Sequence, residues 1–407
     1  MTAKSFRLAV AAIVVFSLLA SSALAGEQQA AVRQLAKNNN LFALDLYAKL
    51  KKQQGNLFFS PYSVSNVLAM TYSGARGGTA EEMARTLHFT SGAEKTGSAF
   101  SGLNAKLNKI HEKGDIKLIV ANSLWPQKDH RFLPEYLSAV NKNYHSAVVP
   151  VDYRKASENA HGRINAWVQD KTQGKIRDLI PNPLPRDTNL VLVNAVYFKG
   201  NWAKPFEKMR TLKGNFTRQD GSKSHASMMH RSGNFGYHET KDVKILELPY
   251  VGDQLSMVLM LPNDAAGFSR LESKLTASNL ESWISGIGNR FVDVELPKFK
   301  FYWGTHDLTE PLQFLGMRKP FEGQADFSGM DGKGPFKIGN LLHKAFVEVN
   351  EEGTEAAAAT AAVTVYGARP RIMTFKADRP FLFLIRENST GSILFLGRVL
   401  DPSSSQT

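Results

Sequence analysis

The 407-residue sequence contains no cysteine. Disulfides, thiolate metal sites and a cysteine nucleophile are therefore excluded together, and the core must hold by packing alone. The one long apolar run, Leu8 to Leu19, falls short of the roughly 20 residues a membrane-spanning helix needs. No Gly-x-Ser-x-Gly elbow, His-Glu-x-x-His pair or Walker sequence occurs, and Gly74-Ala75-Arg76-Gly77-Gly78 lacks the flanks of a phosphate loop. His225, His230 and His238 lie near one another, but at spacings that fit no metal motif. No repeat of fixed period is visible. These absences argue against an enzyme, and neither a metal nor a cofactor is expected.

What is present begins with charge. Fifty Lys and Arg against 37 Asp and Glu give a formal net charge of +13, which attracts polyanions without specifying a nucleic acid or any other partner. Lys4 and Arg7 precede the apolar run, and Ala23-Leu24-Ala25 offers a small-x-small site. This pattern predicts a signal peptide over residues 1–25, cut before Gly26, and a secreted protein, extracellular or periplasmic, with no membrane contact after cleavage. No Pro/Gly/Ser-rich linker divides residues 26–407, so one domain is expected.

Along the chain, periodicity predicts helices over Gln28–Lys51, Ser63–Ser73, Phe100–His111 and Asn159–Lys171, and a helical hairpin after Pro126. Thr79 and Glu82 suggest a capping box. Leu190 to Phe198 is apolar on both faces, the mark of a central strand covered on two sides, with one polar residue, Asn194, in its middle. From Lys204 onward strand signals dominate, including one run over Phe291–Phe301; only 271–284 and 308–315 look helical. Helices first and strands later indicate an α+β fold with mostly antiparallel sheets.

The most unusual stretch is Glu351 to Arg371. Its alanines would suit a helix, but Gly353 and the β-branched Val363, Thr364 and Val365 bound a run too short to be stable alone. Extended, Gly353 to Gly367 would span roughly 50 Å, the length of a whole sheet. Alternate residues share a strand face, so Thr354, Ala356, Ala358, Thr360, Ala362 and Thr364 would point one way and Glu355 the other.

Five stretches in order make the chain similar to one family: Asn56-Leu57-Phe58-Phe59-Ser60-Pro61, Leu192 to Gly200, Ala325-Asp326-Phe327-Ser328-Gly329-Met330, the run from Glu351, and Ala377-Asp378-Arg379-Pro380-Phe381. From about Ala36 to Pro402 the chain resembles the serpins, inhibitory type. The resemblance implies three mostly antiparallel β-sheets, eight or nine helices and an exposed reactive-centre loop over about 353–371. It also implies a suicide-substrate inhibitor, in which a target protease cleaves the loop, is held as a covalent acyl-enzyme, and is trapped as the loop inserts into the large sheet. A monomer is expected.

The resemblance further implies roles for particular residues. Glu351, Gly353, Thr354, Glu355, Ala356, Ala357, Ala358 and Ala359 would form the hinge. Ser60, Ser63, Asn194 and His343 would form a shutter cluster beneath the sheet, with Trp202 and Lys298 at the breach where insertion begins. Lys298 and Glu351 would pair, as an exposed ion pair of about 1 kcal/mol at most. Family spacing places the cut at Gly367-Ala368. Cleavage after Tyr366 would suit a chymotrypsin-like protease; cleavage after Gly367 would suit an elastase-like or cathepsin-like one. Arg369 is followed by Pro370, which resists cutting. Lys106, Lys109 and Lys113, at helical spacing, are candidates for binding a polyanion activator. The rival reading is a non-inhibitory carrier or chaperone, in which the hinge would carry bulky or charged residues.

Overall fold

The computed structural model describes residues 3–353 and 372–404, with backbone alone for 3–24. The helices are α1 (Ala3–Leu50), α2 (Pro61–Gly74), α3 (Gly77–Thr86), α4 (Ala93–Glu112), α5 (Pro134–Tyr144), α6 (Ser157–Lys171), α7 (Phe268–Ser273), α8 (Ala277–Ser285), α9 (Thr309–Phe314) and α10 (Ser328–Asp331). The strands are β1 (Leu57–Phe59), β2 (Ile116–Pro126), β3 (Ala147–Val148), β4 (Leu190–Gly200), β5 (Leu212–Thr217), β6 (Lys223–Glu239), β7 (Val243–Pro249), β8 (Leu255–Pro262), β9 (Gly288–Pro297), β10 (Phe299–Asp307), β11 (Asn340–Val349), β12 (Met373–Lys376), β13 (Phe381–Glu387) and β14 (Ile393–Val399).

The fold is α+β, as expected. Two of the three implied sheets are joined: β6, with 17 residues, pairs with β5 and β9 along most of its length and with β7 at its end. One nine-stranded sheet results, ordered β1-β14-β13-β8-β7-β6-β9-β12, with β5 beside β6. The second sheet has five strands in the order β10-β11-β4-β2-β3.

β4 is the centre of this second sheet, and its burial follows from its sequence. Leu190, Leu192, Val196 and Phe198 enter the main core, while Val191, Val193 and Ala195 join a smaller core with Ile164 and Val168 of α6. Alternate residues thus leave water on opposite faces, and both faces must be apolar. Asn194 falls between Leu192 and Val196, in the series that faces the main core.

Several local expectations are corrected. The hairpin after Pro126 is a single helix, α5, followed by the two-residue strand β3. The capping box is not formed: Thr79 Oγ1 accepts the Asp326 N–H, and Glu82 accepts those of Arg318 and Lys319. Both side chains are taken by tertiary partners, and α3 starts without a side-chain cap. The strand signal over 291–301 belongs to β9 and β10, which lie in different sheets. Pro297 has no N–H to continue a ladder, so the chain turns there.

Candidate functional site

The site starts from the seam of the five-stranded sheet. β11 and β4 run parallel, in register from Asn340/Val191 to Phe346/Tyr197, whereas β10 pairs β11 and β2 pairs β4 antiparallel. Beyond the Phe346/Tyr197 row the two strands keep their outer partners, β11 to Val349 and β4 to Gly200. Parallel pairing is the slightly weaker kind per residue, and this seam lies in the middle of the sheet.

One polar row crosses the seam. His306 pairs with His343, His343 with Asn194, and Asn194 with Asn122, each the direct neighbour of the next on β10, β11, β4 and β2. Ser60 and Ser63, at the start of α2, lie beneath it. Ser60 caps α2 by accepting the Ser63 N–H at 3.2 Å and donates its own hydroxyl to Leu394 O at 2.7 Å. Its backbone N–H donates to His343 Nε2 at 3.3 Å, so that nitrogen is unprotonated and Nδ1–H donates to Asn194 Oδ1. Asn194 Nδ2 then donates to Ser63 Oγ at 2.5 Å and to Asn122 Oδ1. The structure therefore brings Ser60, Ser63, Asn194 and His343 into one network, completely buried but for Ser60 at 1% exposure. Burial pushes the His343 imidazole down to about 3, His306 nearby adding to the effect, and burial takes His306 to about 4. Both are neutral near pH 7.

At the upper end of the seam the chain turns back through Asn350–Gly353. Trp202 holds this turn by two bonds: its indole N–H donates to Asn350 O at 3.0 Å, and its backbone N–H to Glu352 O at 3.0 Å. The ring stacks on Tyr250 at 4.6 Å. Glu351 accepts from Lys298 at 2.9 and 3.1 Å and from Thr211 Oγ1 at 2.8 Å, and its carbonyl accepts the Phe206 N–H at 2.7 Å. Burial, the largest influence on the Glu351 carboxyl, opposes its ionisation. The hydrogen bonds from Lys298, its own backbone and Thr211 together outweigh it and hold the group below the usual carboxylate range. The expectation of an exposed pair is corrected: Glu351 is 5% exposed, and only Lys298 reaches water. Gly353 takes φ +92°, and a Cβ there would collide with Gly200 O and Trp202 N, with Asn201 C at 2.9 Å. Only glycine fits this corner.

The hinge residues Thr354, Glu355, Ala356, Ala357, Ala358 and Ala359, and the cleavage candidates Tyr366, Gly367 and Ala368, lie outside the described residues. Of the lysines proposed for a polyanion, Lys106 is half-buried and paired with Glu387 at 3.6 Å, while Lys109 and Lys113 are exposed. Among the described residues no His/Cys/Asp/Glu cluster would hold a metal ion, and no helix is long and apolar enough to cross a membrane. Sequence reasoning missed Asn122, Thr211 and Asn350. Asn122 sits in a strand whose register against Asn194 no single-chain pattern reveals.

A mixed sheet with a parallel seam, a buried polar row beneath it and a glycine-locked turn at its end defines the class. The chain belongs to the serpin family. The family model, Serpin (serine protease inhibitor), matches residues 37–402. Human leukocyte elastase inhibitor is 42% identical over 383 residues, covering 91% of this chain and all of that protein; human serpin B3 is 40% identical with the same coverage. The crystal structure of Serpin48, a highly specific serpin of the insect Tenebrio molitor, superposes with a TM-score of 0.80 at 34% identity, covering 90% of this chain and 98% of that one. The family is one of protease inhibitors rather than catalysts.

These relatives overturn the secreted location. Leukocyte elastase inhibitor and serpin B3 are intracellular serpins without a signal peptide, so the address read from residues 1–25 finds no support in them. A basic start followed by a short apolar run suits a helix as well as an export signal, and composition does not separate the two.

Proposed function

We propose that the chain is a suicide-substrate protease inhibitor whose segment beginning at Gly353 is cut near Gly367-Ala368 and enters the five-stranded sheet between β11 and β4. The observation that carries this reading is the parallel seam. A strand returning from the turn at Gly353 runs opposite to β11 and, because β4 is parallel to β11, opposite to β4 as well. Insertion would replace one parallel ladder with two antiparallel ones, and the small residues from Thr354 to Ala362 leave little bulk to bury on the way.

In this reading the network of Ser60, Ser63, Asn194, His343 and Asn122 fastens the seam. Its bonds must exchange partners as β4 and β11 separate, since a buried polar group left unpaired costs roughly 1–3 kcal/mol. Trp202, Lys298 and Thr211 hold the turn where entry starts. The freed segment carries the acyl-enzyme with it as a covalent complex, and a single domain, acting as a monomer, suffices. Similarity to leukocyte elastase inhibitors favours an elastase-like target, and Tyr366 beside Gly367 keeps chymotrypsin-like and cathepsin-like enzymes in view.

The test is a panel of elastase-like, chymotrypsin-like and cathepsin-like proteases, scored for SDS-resistant complexes, with mass spectrometry of the released C-terminal peptide. A complex with a cut between Tyr366 and Ala368 is expected. Cleavage by every protease without any stable complex would favour the carrier reading instead.

A further inference from the structure

Few large apolar side chains stand in water on this protein, and those that do are not scattered. Among the described residues four are 60% exposed or more: Met209 at 96%, Leu212 at 69%, Phe314 at 64% and Ile372 at 60%. Three of the four flank the two ends of the 354–371 segment. Met209 and Leu212 bracket Thr211, whose hydroxyl holds Glu351, while Phe206 and Lys208 of the same stretch bind the Glu351 carbonyl and the Glu352 carboxylate. Ile372 is the first described residue where the chain re-emerges, directly before β12.

Sheet register gives the separation. Leu212 lies opposite Met228, and Met228 opposite Pro297 of β9; Met373 lies opposite Val292 on the same strand. Leu212 and Ile372 are therefore three strand spacings apart across the sheet and about six residues apart along it. At about 4.8 Å and 3.3 Å per step the separation is about 25 Å. A standard protein–protein interface of about 800 Å² per partner is some 30 Å wide, so one docked protein covers both ends. Of the charged side chains beside the apolar pair, Lys208 is bound to Glu352 and Arg210 lies 3.9 Å from Glu207, and exposed Lys213 leaves one positive charge in excess.

We propose that Met209, Leu212 and Ile372 form a docking surface for the target protease, and that the protease carries an apolar patch, with an acidic side chain to meet Lys213, beside its substrate cleft. This inference rests on the inhibitor reading for its occupant. The loop presents the scissile bond, and this surface, fixed to the loop's base through Glu351 and Glu352, selects among proteases of similar cleft specificity. Within a docking footprint a few side chains that become buried supply most of the binding energy.

The experiment compares the full chain with Met209→Glu, Leu212→Glu and the double variant, alongside Met209→Ser/Leu212→Ser as a milder pair. The readouts are the second-order rate constant of inhibition, the stoichiometry, the rate of loop cleavage and the melting temperature. The double glutamate variant should inhibit about 10-fold or more slowly, with stoichiometry and melting unchanged, and the serine pair should fall in between. Added salt should slow the wild type modestly, by screening Lys213. Rates within twofold of wild type for both double variants would overturn the docking surface while leaving the inhibitor reading intact. If the wild type is cleaved without trapping, the inhibitor reading fails, and the same comparison of cleavage rates still decides the docking surface. A loop that no protease in the panel cuts would overturn both.

Discussion

Asn194 on β4 is the direct register partner of His343 on β11, and its Oδ1 accepts the imidazole Nδ1–H across the seam. The bond needs a neutral histidine, because Nε2 must stay free to accept the Ser60 N–H. The polar row is therefore tied to pH.

The sign follows from the two pKa values. The unfolded chain protonates His343 near its ordinary 6.5, while the folded chain resists until about 3. The stabilisation is complete above about pH 6.5 and is lost as pH falls toward 3, at about 1.4 kcal/mol per pH unit. His306, held at about 4, contributes with the same sign over a narrower window. Between about pH 6 and 4.5 the unfolding free energy should therefore fall with a slope near two protons. His306→Phe keeps the stack on Trp303 and should halve that slope. Denaturant unfolding at stepped pH measures this, and an unchanged slope would refute it.

Gly353 separates the two states of the account. Gly353→Ala introduces a Cβ against Gly200 O and Trp202 N at a left-handed φ, which should destabilise the intact protein by about 1–3 kcal/mol. In a loop inserted as a strand that corner no longer exists, so the cleaved form should not be destabilised. Equal losses in intact and cleaved forms, compared by melting, would contradict the assignment.

The pair at the turn makes an asymmetric prediction. Lys298→Ala leaves Glu351 buried and charged with only Thr211 and backbone for support, and should cost about 1–2 kcal/mol, less than a fully buried pair because Lys298 is partly solvated. Glu351→Gln keeps an acceptor for Thr211 without a buried charge, and should cost less. The reverse order in denaturant melts would show that Glu351 does not depend on Lys298.

Ala358 tests the segment itself. A strand face passing through the sheet accepts alanine and rejects a guanidinium, so Ala358→Arg should raise the stoichiometry of inhibition several-fold and yield cleaved inhibitor in place of complex. Unchanged stoichiometry in a titration against the inhibited protease would remove Ala358 from the buried face.

Much of this was legible in the sequence, for identifiable reasons. Leu190 to Phe198 could only be a strand covered on both faces, and Asn194 stood out because a polar side chain within such a run needs a partner. Its partners were less accessible. His343 and the serines came from family resemblance, while Asn122 depended on a strand register that composition does not encode. Thr79 and Glu82 had local signals that tertiary contacts overrode. Pro297 marked a change of sheet rather than a kink in one strand. Glu351 was expected in water because charged residues usually are; three donors, Lys298, Thr211 and its own backbone N–H, keep it inside.

The account's central claim is that the seam between β11 and β4 opens to take the segment beginning at Gly353. The most direct measurement is thermal melting of the protein before and after a single cut in the 354–371 segment, with the cut located by mass spectrometry. Insertion predicts a higher melting temperature in the cleaved form, as two antiparallel ladders replace one parallel seam. An unchanged melting temperature after a verified cut near Gly367 would contradict the claim.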